Sequence, residues 1–67
     1  MTRVQMKLEG LDGNAWHLLS AFSGNARRQG WPQHRIDAVW TEAMSSDYEH
    51  LLNTLIKYTE LPEEADV

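Results

Sequence analysis

Cysteine is absent from this 67-residue chain, which excludes a disulfide framework and any zinc site built on thiolates. Long apolar runs are absent too. Nothing approaches the roughly 20 residues of a bilayer-spanning helix, and residues 1–10 hold no apolar stretch of signal-peptide length. The expected location is therefore the cytoplasm, with no membrane partner. Phosphate-binding loops are missing: neither GxxxxGK[ST] nor GxGxxG occurs around Gly10, Gly13 or Gly24, so no backbone cradle for a nucleotide is expected. His17, His34 and His50 include no pair at i, i+4 spacing, and a structural metal site wants four closely placed ligands. No metal and no cofactor is expected. Ser20 and Ser23 lie near His17, but a serine–histidine pair on one helix lacks an oxyanion hole and a third orienting group. So short a chain also has little room for a concave site of roughly 300 Å³ or more. The reading is non-enzymatic, with no small-molecule substrate.

What is present describes one small globule. Hydrophobic residues make up 42% and charged residues 24%, a balance that supports a packed core. A single helical domain is expected over residues 1–61, followed by an acidic disordered tail over residues 62–67. A core of this size is marginal and usually needs a staple or a partner. The net charge of −4 is unevenly placed. Residues 1–36 carry Arg3, Lys7, Arg27, Arg28 and Arg35 against Glu9 and Asp12, whereas residues 37–67 carry Lys57 against all the remaining acids. The negative balance disfavours non-specific nucleic-acid binding.

Periodicity supplies the elements. Val4, Met6 and Leu8 alternate with polar residues, so residues 3–9 read as a short half-buried strand. Gly10 and Asp12-Gly13 punctuate the chain. Ala15, Leu18, Leu19, Phe22 and Ala26 then mark one face of a helix, capped by Asp12 or Asn14 and stopped by Gly30. Counting back from Gly30 places Ala26 and Trp31 at the two positions that meet in a Schellman motif, with Arg27 and Arg28 in the last turn. Pro32 can occupy the first turn of a second helix, whose apolar face is Ile36, Val39, Trp40, Ala43 and Met44. Ser45-Ser46 ends it. Ser46 and Glu49 form the capping box of a third helix, with Tyr48, Leu51, Leu52, Leu55 and Ile56 as its stripe and an end near Tyr58 or Thr59. The fold class is mostly α: three short amphipathic helices and an N-terminal strand. That strand pairs either with Tyr58–Leu61 or with its copy across a dimer, since a lone strand leaves backbone groups unpaired.

Asp12-Gly13-Asn14-Ala15, together with Glu42-Ala43, Ser46-Asp47-Tyr48, His50-Leu51-Leu52 and Thr54, forms a recognisable pattern. On these residues the chain resembles a group of small, mostly uncharacterised proteins of bacteria and their phages, over residues 6–61. It departs from that group at Ser45-Ser46, where a Ser/Thr-Gly pair is common, and at Trp16. The resemblance implies a helical fold with short extended ends, a phage or prophage setting in a bacterial host cytoplasm, and no catalytic residue. Small acidic phage proteins are often inhibitors of host systems, anti-CRISPR proteins among them. The expected function is binding and occlusion of a host protein or protein complex.

Two surfaces are candidates for that role. Trp31 with Arg27, Arg28 and Arg35 forms an aromatic and basic corner between the first two helices, and Trp16 joins it as a further partner-binding residue; tryptophan and arginine are enriched at binding hot spots. The second candidate is an acidic surface of Asp37, Glu42, Asp47 and Glu49 that imitates nucleic-acid phosphates. Trp40 reads as core, Trp31 as core edge, and Trp16, off the main stripe, as packed beneath the strand unless it meets a partner. His17 and His50 read as helix-flank residues with ordinary hydrogen bonds, and Gly24 as the mark of a close helix crossing. One alternative is a helix-turn-helix reader, with Gln33, His34 and Arg35 at base edges and Arg27 and Arg28 on phosphates. Asp37 opposes it, and the acidic start of the third helix has the wrong sign. A structural homodimer is the other alternative.

Overall fold

A computed structural model describes residues 3–8 and 14–60. The order of elements is β1 (Val4–Gln5), α1 (Ala15–Arg28), α2 (Gln33–Ala43), α3 (Tyr48–Tyr58) and β2 (Thr59–Glu60). The turn at Gly10–Gly13, the alternative cap at Asp12 and the tail at 62–67 lie outside the described residues.

The alternation in the first segment does its expected work. Val4 and Met6 point into the core while Arg3, Gln5 and Lys7 are exposed. Among the described residues the ladder is shorter than the 3–9 read from the pattern, with Thr59 and Glu60 as its partners. The two strands run parallel, Val4 opposite Thr59 and Gln5 opposite Glu60, and Met6 N–H donates to Glu60 C=O at 3.0 Å. A parallel pair needs a long crossover, and here all three helices form it. Pairing is thus within the chain.

Each helix end has a specific cause. Asn14 caps α1: its Oδ1 accepts from Trp16 N–H at 2.8 Å and His17 N–H at 3.3 Å. At the far end Gly30 takes φ +96°, where a side chain would be strained. Trp31 N–H donates to Ala26 C=O at 2.9 Å and Gly30 N–H to Arg27 C=O at 3.2 Å. These are the two bonds of a Schellman motif, as the spacing requires. Pro32 stands at the N-cap of α2, one residue earlier than its sequence reading. Its carbonyl accepts from Arg35 and Ile36, so its missing N–H costs nothing.

The cap of α3 is corrected. Asp47, not Ser46, holds the N-cap, and its Oδ1 accepts from His50 N–H at 2.9 Å. The helix starts one residue later than the capping box implied, leaving Glu49 in the first turn as favourable negative charge. His50 ties α3 to α2. Its Nε2 lies 3.0 Å from Glu42 C=O; since a carbonyl only accepts, Nε2 carries the proton, and it adds a bond between helices to a carbonyl that also accepts from Ser45.

The core forms where the three stripes meet. Leu19, Phe22 and Ala26 of α1 face Ile36 and Val39 of α2 and Leu55 of α3. Trp31 closes it, edge-on to Phe22 at 5.6 Å and to Tyr58 at 6.2 Å between ring centroids. Three stripe residues are corrected. Ile56 is 58% exposed, Met44 49% and Tyr48 41%. The buried line of α3 runs through Leu51, Thr54 and Leu55, and Ile56 lies about 100° past it. Met44 is the C-cap of α2, already off the helical stripe. Thr54 enters the core because its Oγ1 donates to His50 C=O at 2.8 Å; the hydroxyl is satisfied without water. Gly24 marks no close crossing: a Cβ built there would meet only Arg28 Nη1, at 3.7 Å.

Candidate functional site

Helix α1 runs antiparallel to α2, as Trp16 against Trp40 at one end and Arg27 against Gln33 at the other require. The molecule therefore has two ends. One gathers the end of α1, the start of α2, the end of α3 and the sheet. The other gathers the start of α1, the end of α2 and the start of α3.

The first end holds the basic corner. Arg27 Nη2 donates to Gln33 Oε1 at 3.2 Å, and Gln33 Nε2 to Asp37 Oδ1 at 2.9 Å, so arginine and aspartate are linked through one amide. Arg28 Nη2 donates to Asn25 Oδ1 at 2.9 Å. The Arg35 guanidinium lies 5.0 Å from the centre of the Trp31 ring. Arg27 and Arg28 end α1 and Arg35 lies over the Trp31 ring from α2, but Trp31 is only 6% exposed. Its indole is spent on the core and on Arg35, so the corner offers a partner cations and no aromatic anchor. Trp16 does not belong to this patch: it lies about 18 Å from Arg28 along the axis of α1.

The four acids do not share a face. Asp37 and Glu42 are five residues apart on α2, about 140° around it. Asp37 lines an open depression of about 430 Å³ between α1 and α2, with Ser20, Ser23, Arg27, Gln33 and Trp40. Glu42 lines another, of about 260 Å³, between α2 and α3 with His34, Arg35 and Tyr58. There it accepts from Tyr58 Oη at 3.3 Å and approaches Lys57 Nζ at 3.8 Å. Asp47 is occupied as a cap. Only Asp47 and Glu49 share one helix terminus, the start of α3.

They do so at the second end, beside the largest exposed apolar side chains among the described residues apart from Ile56. Trp16 is 57% exposed, so it is not packed beneath the strand. It rests on Trp40, centroids 5.7 Å apart and planes tilted by 50°. Trp40 is only partly buried, and its Nε1–H donates to Ser23 Oγ, which fixes the indole as a platform. Met44 and Tyr48 (41% exposed) lie at the same end of the molecule, at the end of α2 and the start of α3. They line a shallow hollow of about 210 Å³ with Ala15, Ala43, Asp47 and Leu51. Asp47 and Glu49 supply acids to this end, while Lys57 is drawn to Glu42 at 3.8 Å.

The sequence reading missed the exposure of Met44 and Tyr48, which share the helical spacing of core residues. The available signal was the Ser45-Ser46 break, which places Met44 and Tyr48 at helix termini, where a stripe no longer faces a neighbour. Among the described residues, no three of His, Cys, Asp and Glu are grouped to hold a metal ion, and no helix is long and apolar enough to cross a membrane. The chain matches no protein-family model, and no curated protein or solved structure is similar to it.

Proposed function

We propose that the chain works by binding another protein at the Trp16–Trp40–Met44–Tyr48 end. The partner's contact surface would be apolar, with Lys or Arg around its edge to meet Asp47 and Glu49. In the setting that the sequence resemblance implies, the chain is a phage or prophage product that occludes a site on a host protein complex, without turnover, metal or cofactor. The carrying observation is Trp16: a tryptophan left 57% exposed on a second, hydrogen-bonded tryptophan. Large exposed apolar patches rimmed by polar groups mark interaction sites, and tryptophans are the residues most enriched among binding hot spots. The basic corner ranks second, because its aromatic side chain is turned inward.

Capture of a partner from bacterial host lysate, followed by affinity measurement on that purified partner, tests the reading. Trp16→Ala and Glu49→Lys should weaken binding, the first by about 30-fold, the 2 kcal/mol of a hot spot. Arg28→Glu should leave it within about threefold, as exposed pairs are worth little. Loss of the partner with Arg28→Glu alone would move the site to the corner. A salt-sensitive shift of labelled DNA duplex would replace the protein partner with nucleic acid.

A further inference from the structure

Gln5 sits at the centre of the alternating run 3–8. Its neighbour Met6 donates its backbone N–H to β2, so in the strand period the backbone of Gln5 faces the opposite, outer edge. The side-chain amide of Gln29 occupies that edge. Gln5 N–H donates to Gln29 Oε1 at 2.8 Å, and Gln29 Nε2 donates back to Gln5 C=O at 3.0 Å. An added antiparallel strand would exchange the same two bonds with Gln5 in a hydrogen-bonded residue pair. Gln29 thus stands in for one residue of a third strand. Its own backbone N–H is held by the last turn of α1, so the amide is free to leave without unravelling the helix. Arg3 and Lys7 flank Gln5 on the exposed face.

We propose that the outer edge of β1 is a strand-addition site for an extended acidic segment of a partner protein, gated by the Gln29 amide. Charge selects the occupant. A second copy pairing antiparallel about Gln5 would set Arg3 of each copy opposite Lys7 of the other, and like charges directly opposite destabilise a pair. A segment with acids two positions either side of its central residue meets Arg3 and Lys7 favourably, while its backbone replaces the amide. Main-chain bonds supply the affinity and alternate side chains the selectivity. Exposed edges need such covers to escape indiscriminate pairing. The site lies at the opposite end from Trp16, so it stands or fails independently of the docking surface proposed above.

The test uses the full chain and two capped peptides, Glu-Val-Thr-Val-Glu and Lys-Val-Thr-Val-Lys, titrated by fluorescence anisotropy while exchange of the Gln5 amide is followed by NMR. The acidic peptide should bind wild type weakly and Gln29→Ala about tenfold more tightly, as removal of two competing hydrogen bonds implies, and should slow exchange at Gln5. The double change Arg3→Glu with Lys7→Glu should lose the acidic peptide and favour the basic one. If Gln29→Ala fails to fold, Gln29→Met keeps the length, removes the amide and carries the same expectation. The proposal is overturned if natively helical Gln29→Ala or Gln29→Met binds neither peptide, or binds both equally. Concentration-dependent dimerisation of that variant in sedimentation would overturn the assignment of the occupant, giving the edge to a second copy.

Discussion

The two ends of α1 solve the same problem, a tryptophan beside a helix terminus, in opposite ways. At the C-terminal end Gly30 reverses the chain with φ +96°, and the Trp31 N–H that closes the turn on Ala26 brings its indole back over Phe22 and Tyr58. At the N-terminal end Asn14 caps the helix with a side chain alone, and Trp16, inside the first turn, projects off the apolar stripe onto Trp40. A backbone cap that turns the chain folds the next side chain back onto the core; a side-chain cap leaves the first turn where periodicity points it. The first arrangement buries its indole in the core and the second leaves its indole 57% exposed.

The sharpest way to break this comparison is to truncate both rings and measure unfolding by denaturant. Trp31→Ala should cost about 3–5 kcal/mol, the range for removing a large buried aromatic, which in a domain of this size approaches total stability. Trp16→Ala should cost about 1 kcal/mol or less, the worth of one aromatic contact at the surface. Equal losses would mean that the exposed end is part of the core and would remove the basis for the docking surface.

The caps come next in size. Asp47→Ala should lower stability by about 1 kcal/mol through loss of the N-cap bond to His50 N–H. Ser46→Ala should change it by less than about 0.5 kcal/mol. If the two effects are reversed, α3 begins one residue earlier and Tyr48 and Met44 shift relative to Trp16.

The helices were legible because their stripes and stops agree. Ala15 to Ala26 with Gly30, Ile36 to Ala43 with Pro32, and Leu51 to Leu55 all lie where spacing puts them. The Schellman pair was legible because its geometry comes from counting. The parallel partner of Val4 was only one of two options, since nothing local distinguishes pairing within a chain from pairing between chains. The cap of α3 slipped by one because Ser46 and Asp47 both cap well, and tertiary contact through His50 decides between them. The site was harder. Trp31 and Trp16 are chemically alike, and only the course of the chain after Gly30 assigns one to the interior. Gln29 carried no signal: an exposed amide becomes an edge cover only through a strand 24 residues away.

Gly24 offers the smallest effect and a direct check on how the two ends of α1 are joined. The glycine lies inside the helix, and among the described residues an added Cβ there meets only the end of the flexible Arg28 side chain, at 3.7 Å. Gly24→Ala should therefore raise stability by about 0.5–1 kcal/mol, by reducing the freedom of the unfolded chain and improving helix propensity. The shift in denaturation midpoint reads this, and partner affinity measured alongside reads a second thing. Unchanged affinity with higher stability makes the two ends independent, each set by its own cap. Lower affinity with higher stability would mean that α1 flexes at Gly24 on binding, and that the exposed tryptophan and the buried one are mechanically coupled through the helix between them.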